Sequence, residues 1–118
     1  MKALFKDILD TENVHGVMLL SFEGKAVYQE FNPSVSPNID PHEWSALTSL
    51  LKDIDEAEIV FDHCLLYVIR STGGFVLVVM GRQAPIAMVR LNCSIILPSL
   101  GPTKFKPKGL ARFFRRNT

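Results

Sequence analysis

Residues 64–70, CLLYVIR, and 75–81, FVLVVMG, separated by Ser71-Thr72-Gly73-Gly74, are apolar at nearly every position. A strand with one solvated face alternates apolar and polar side chains, whereas an unbroken apolar run is tolerated in a sheet only when both faces are covered. These two segments are therefore expected as central strands of a sheet with helices on both faces. Just upstream, EIVFD at 58–62 is short and bracketed by acids, with Asp62-His63 as a tight turn into the next strand. Such charges mark an edge, as do Gln29 and Glu30 in KAVYQEF at 25–31.

The cover for that sheet is legible on either side. Downstream, residues 84–97, APIAMVRLNCSIIL, admit two readings. Val89, Leu91, Cys93 and Ile95 alternate with polar residues as a half-buried strand would. Pro85, Pro98 and the set Ile86, Val89, Cys93, Ile96 and Leu97 fit a helix. The segment is long for a strand and the central sheet needs cover, so a helix is expected. Upstream, Asp40, Pro41 and Glu43 form an N-cap, first helical residue and capping box, with Ile39 and Trp44 at staple spacing. The helix they start should run to about Asp53, with Trp44, Leu47, Leu50, Leu51 and Ile54 as its apolar stripe and Ser45, Thr48, Ser49 and Lys52 away from it.

Further upstream, HGVMLLSF and KAVYQEF flank Glu23-Gly24 and read as a hairpin with a two-residue loop, the glycine supplying positive φ. Residues 3–11 carry Leu4, Phe5, Ile8 and Leu9 on one stripe and Lys6, Asp7 and Asp10 on the other, a short first helix. The segment NPSVSPNID, with two prolines, is a loop. Residues 1–101 thus make one α+β domain, a five-stranded antiparallel sheet between helices, and residues 102–118 a separate tail.

That tail ends in KFKPKGLARFFRRNT, with six basic side chains and no acid. Up to Thr103 the chain has 7 Lys/Arg against 12 Asp/Glu, a net of −5, so the overall +1 is an acidic body offset by a +6 arm. Leu110, Phe113 and Phe114 stand among Arg112, Arg115 and Arg116 at the spacing of one helical side. This pattern suits a protein groove with negative charge around it, or membrane contact through the tail. Nucleic acid is disfavoured because the acidic body would repel phosphate.

With 47% hydrophobic residues and a mean hydropathy of +0.18, the chain is apolar for its size, and such an excess commonly enters a subunit interface. Its longest apolar run in the body, FVLVVM, is far short of a membrane span. Lys2, Lys6 and Asp7 interrupt any signal-peptide core, so a cytoplasmic location is expected. Cys64 and Cys93, flanked by aliphatic residues, read as core thiols, and their spacing meets no zinc template, so no metal or cofactor is expected. His63-Cys64 reads as a strand turn, and a hydrolase built on Cys64 or Cys93 with His15 or His63 lacks an orienting acid. Gly73-Gly74 has no phosphate-loop context.

The order helix, hairpin, helix, three strands, helix resembles the roadblock family, which includes the dynein light chain of that name and bacterial regulators such as MglB. LFKDILD leading into HGVMLLSFEGKAVY is similar to the family's helix, Gly-Val strand start, aliphatic run, acid-glycine turn and second strand, with Glu23 where the family usually has aspartate. The resemblance covers about residues 1–100. It implies a non-catalytic homodimer, or a heterodimer with a paralogue, that binds a small Ras-like GTPase or its regulatory proteins, the nucleotide being held by that partner. It further implies a dimer seam at Trp44, Leu47, Leu51, Ile59 and Phe61, where the middle helix and the third strand meet their counterparts. Partner binding is expected on the outer side of the middle helix, at His42, Ser45, Ser49 and Lys52, with Arg112, Phe113, Phe114, Arg115 and Arg116 as a second contact.

Overall fold

The computed structural model describes residues 2–32 and 41–101, with side chains from 3 to 32 and from 46 to 101. The expected cap at Asp40, the staple residue Ile39 and the whole basic tail lie outside the described residues.

The chain opens with a 3-10 turn at Lys2–Phe5 that runs into α1 (Lys6–Leu9), so the first helix is tighter and shorter than the stripe over 3–11 suggested. Its apolar side is as expected, with Phe5 and Ile8 fully buried. Thr11 ends it by donating its hydroxyl to the Asp7 carbonyl at 2.8 Å. Strands β1 (Val14–Ser21) and β2 (Ala26–Phe31) follow as an antiparallel hairpin. Four residues, Phe22 to Lys25, separate the strands, two more than expected. Gly24 adopts φ 90°, and the Ser21 amide donates to the Lys25 carbonyl at 2.9 Å. A short turn closed by one left-handed glycine matches strand twist at this length too.

After α2 (Pro41–Leu50) come β3 (Glu56–Val60), β4 (Leu65–Arg70) and β5 (Gly74–Met80), then α3 (Ile86–Ile96) and a 3-10 turn, Leu97–Ser99. The sheet is antiparallel in the order β2-β1-β5-β4-β3. Strands β4 and β5 are central and β2 and β3 are edges, as their composition required. The β3–β4 turn is closed by the Phe61 amide on the Cys64 carbonyl at 2.8 Å, leaving Asp62-His63 between. β3 itself starts two residues earlier than EIVFD, and Phe61 lies just past its end.

Both sheet faces are dry, which is why the central strands are apolar throughout. Val17, Leu19, Tyr67, Val76, Val78 and Met80 pack with Phe5 from the 3-10 turn, Ile8 from α1 and Val89, Cys93 and Ile96 from α3. Met18, Leu20, Leu66, Val68, Phe75 and Leu77 face the other way, beneath Leu47 and Leu51 of α2 and its C-terminal turn. Segment 84–97 is the helix expected. Its buried positions follow the helical period, while Leu91 and Ile95 of the alternating set are exposed.

Within α2 two positions depart from the expected stripe. Thr48 is buried and Leu50 is 76% exposed. At about 100° per residue, Leu47, Thr48 and Leu51 cluster on one side and Leu50 falls roughly a quarter-turn or more off it. Apolar spacing alone had grouped Leu50 with its neighbours.

Tyr67, in an otherwise aliphatic strand, donates its hydroxyl to Glu56 across the β3–β4 pair. Arg90 of α3 grips the same carboxylate with Nε on Oε2 at 3.0 Å and a terminal nitrogen on Oε1 at 3.1 Å. The Tyr67 hydrogen bond foremost, with Arg90 adding to it, holds the Glu56 carboxyl below its ordinary 4.5 against the opposing effect of burial. A carboxylate held down in this way contributes stability above its unfolded pKa and loses it as pH falls through the folded value. Chemical denaturation at neutral pH and again below the carboxylate range should therefore show a smaller acid-induced loss for Glu56→Gln than for the parent chain. Tyr67→Phe should cost about 1 kcal/mol at neutral pH by removing the buried donor, and an unchanged midpoint would contradict that role.

Candidate functional site

The surface where α2 ends beside β3 is organised by Arg70, the last residue of β4. Its side chain donates to the carbonyls of Leu51 and Ile54 at 3.3 Å each and to that of Lys52, in the turn that follows α2, where the Leu51 carbonyl also accepts the Ile54 amide at 3.0 Å. A cation at that end also meets the negative pole of the helix. Asp55 stands 3.7 Å from the guanidinium, and the Arg70 amide donates to the Asp55 carbonyl at 2.8 Å. The guanidinium lies 5.2 Å from the ring centroids of both Phe22 and Phe75, which meet edge-on at 5.4 Å. One strand-end arginine thus joins the C-terminal turn of α2 to the hairpin and the sheet.

Exposed large hydrophobic residues flank this anchor and the strand beyond it. Phe22 meets the Arg70 guanidinium, and Leu50 and Ile54 belong to the helix end it holds. At the far end of β3 Val60 is 61% and Phe61 49% exposed, Val60 standing opposite Leu65 and so on the α1 and α3 side of the sheet. Ile59 and Leu47 are half-buried on the α2 side, packed on the inner cluster. Of the expected seam residues, Phe61 offers surface, Leu47 and Ile59 offer part of theirs, and Leu51 offers none, being 3% exposed and spent on the core. The side chains of Trp44, His42 and Ser45 lie outside the described residues, as do Arg112, Phe113, Phe114, Arg115 and Arg116. Ser49 and Lys52 are exposed. A second exposed apolar row, Met88, Leu91 and Ile95, runs along the outside of α3.

Sequence reasoning missed Arg70, Leu50, Phe22 and Val60 as surface residues. A lone basic residue closing an apolar strand was the available sign of Arg70. Cys93 is buried beneath α3 and its thiol is pushed up to about 12, by burial first and then by Glu56. Among the described residues no group of three potential metal ligands converges, and no helix is long and apolar enough to cross a membrane.

A five-stranded antiparallel sheet in this order, with α1 and α3 on one face and α2 on the other, defines the roadblock fold. Solved structures with it include a Roadblock/LC7 domain from Streptomyces avermitilis, 18% identical, covering 84% of this chain and 89% of that one, with a TM-score of 0.65. An MglB with tetrameric arrangement is 14% identical over 87% of this chain and 82% of that one, TM-score 0.66. MglC from Myxococcus xanthus is 13% identical over 84% and 91%, TM-score 0.58. No protein-family model and no curated protein matches the chain.

Two outcomes follow from this geometry. Arg70→Met keeps the stem but removes the donors and should destabilise the protein by about 1–2 kcal/mol. Amide exchange should then speed up at Leu51 and Ile54 more than at Val78, and uniform exchange would contradict the clamp. Alkylation at mildly basic pH, read by mass spectrometry, should label Cys64 and spare Cys93, and comparable rates at both would contradict the burial of Cys93.

Proposed function

We propose that this chain is a non-catalytic, dimeric regulator or scaffold that binds a small Ras-like GTPase or its regulatory complex in the cytoplasm. The observation that carries the reading is the exposed apolar surface of Leu50, Ile54 and Phe61 on a roadblock fold whose β3 edge has no neighbouring strand among the described residues. An edge strand flanked by exposed apolar side chains invites strand addition, and a second roadblock subunit would cover both features at once. Pairing across this seam joins two α2 helices into one platform, on which Ser49 and Lys52, with His42 and Ser45, face a third protein. The partner supplies the nucleotide. The resemblance of the domain to MglB is what directs the reading toward a GTPase rather than another class of partner. The basic tail, through Arg112, Phe113, Phe114, Arg115 and Arg116, adds a contact to an acidic partner or an anionic membrane.

The test joins molar mass to capture. Light scattering should give a particle heavier than one 13.2 kDa chain, alone or with a roadblock paralogue. Immobilised protein should retain a Ras-like GTPase in one of its GDP or GTP-analogue states. The double change Leu50→Asp and Phe61→Asp should weaken assembly at least tenfold, since a carboxylate in an apolar seam is left unpaired. Thermal stability should stay within about 1 kcal/mol because both residues are exposed. A monomer at all concentrations, with no GTPase retained, would end this reading.

A further inference from the structure

The edge of β3, which has no neighbouring strand among the described residues, carries a charge pattern that bears on which chain can sit against it. All 12 Asp/Glu of the sequence precede His63, and everything from His63 onward contains only cations. Folding brings two of those cations back to the β3 region: Arg70 to Asp55 and Arg90 to Glu56. Glu58, on the strand itself, and Asp62, just beyond it, are exposed, and among the described residues neither has an ion-pair partner.

Strand addition by a second copy about a two-fold axis is antiparallel, and residues directly opposite each other share a face of the sheet. Over Glu56–Val60, the registers pairing three or more residues with their counterparts are centred on Ala57, Glu58 or Ile59. Centring on Ala57 sets Glu56 against Glu58 twice by symmetry. Centring on Glu58 sets it against itself. Centring on Ile59 sets Glu56 abreast of Asp62, again twice. The register centred on Glu58 thus opposes two carboxylates without a counter-ion among the described residues, which destabilises a ladder, and the other two set Glu58 or Asp62 against a Glu56 already held by Arg90, leaving the acid without a cation of its own. Arg90 offsets the charge of Glu56 but reaches neither Glu58 nor Asp62.

We infer that the β3 edge is shaped to receive the edge strand of a different chain, one carrying lysine or arginine opposite Glu58, in preference to a second copy of itself. The inference rests on the reading of β3 as the assembly edge, and it names the partner's chemistry. A basic strand supplies Glu58 and Asp62 with the cations a second copy lacks there, while the exposed apolar surface of Phe61 contributes to either partner.

The experiment uses the full chain and a variant bearing Glu58→Lys and Asp62→Lys, both exposed positions. Sedimentation velocity of the parent, the variant and their equimolar mixture is run at low and high salt. The mixture should associate roughly tenfold more tightly than the parent alone at low salt, with most of the gain lost at high salt. A Glu58→Gln chain should self-associate more tightly than the parent. If the parent pairs with itself as tightly as the mixture does, and Phe61→Asp weakens both, the partner preference is overturned while β3 remains the interface. If the mixture does not associate, or associates in a way Phe61→Asp leaves untouched, the interface reading falls and takes the preference with it.

Discussion

A sheet whose middle strands are apolar on both sides cannot leave either side wet, and the architecture follows from that requirement. Burying a side chain such as Leu77 or Val78 is worth about 1.5–3 kcal/mol, and the central strands contribute such residues to both faces in alternation. One face is closed by α1 and α3, with Leu100 filling in after them. The other relies on α2, whose C-terminal turn is held down by Arg70. Apolar surface remains outside that closure, on Leu50 and Ile54 at the end of α2 and on Phe61 just past β3, and this surplus makes the candidate interface.

Charge is arranged along the same divide. Acids are confined to the first part of the chain and cations dominate the remainder, so folding has to bring distant segments together for ion pairs to form. Arg90 and Tyr67 converge on Glu56 at the start of β3, and Arg70 lies against the turn just before it. These contacts tie the edge strand to α3 and to α2. They also leave the outer half of β3 negative. The same strand is thus firmly held on its inner side and selective on its outer side.

Much of this was legible in the chain itself. The unbroken runs CLLYVIR and FVLVVMG pointed to central strands, the acids around EIVFD and the polar pair Gln29-Glu30 pointed to edges, and the length of 84–97 with its two prolines favoured a helix over the strand its alternation also allowed. In that last segment two periodicities coexisted, and the structure shows why. Val89, Cys93 and Ile96 face the sheet while Leu91 and Ile95 face out, so one helix that is apolar on both sides imitates an alternating strand.

What the sequence determined by itself was the period of each segment and hence which strands are covered, because burial demand is written locally, residue by residue. Only the tertiary structure decided that Leu50 rather than Thr48 faces solvent, that Leu51 is consumed by the core, and that Arg70 and the Tyr67, Glu56 and Arg90 group fasten the elements together. The fastening contacts join residues 11 to 34 positions apart. No local pattern encodes them, since their partners become neighbours only when the sheet order and the helix rotation are set by packing.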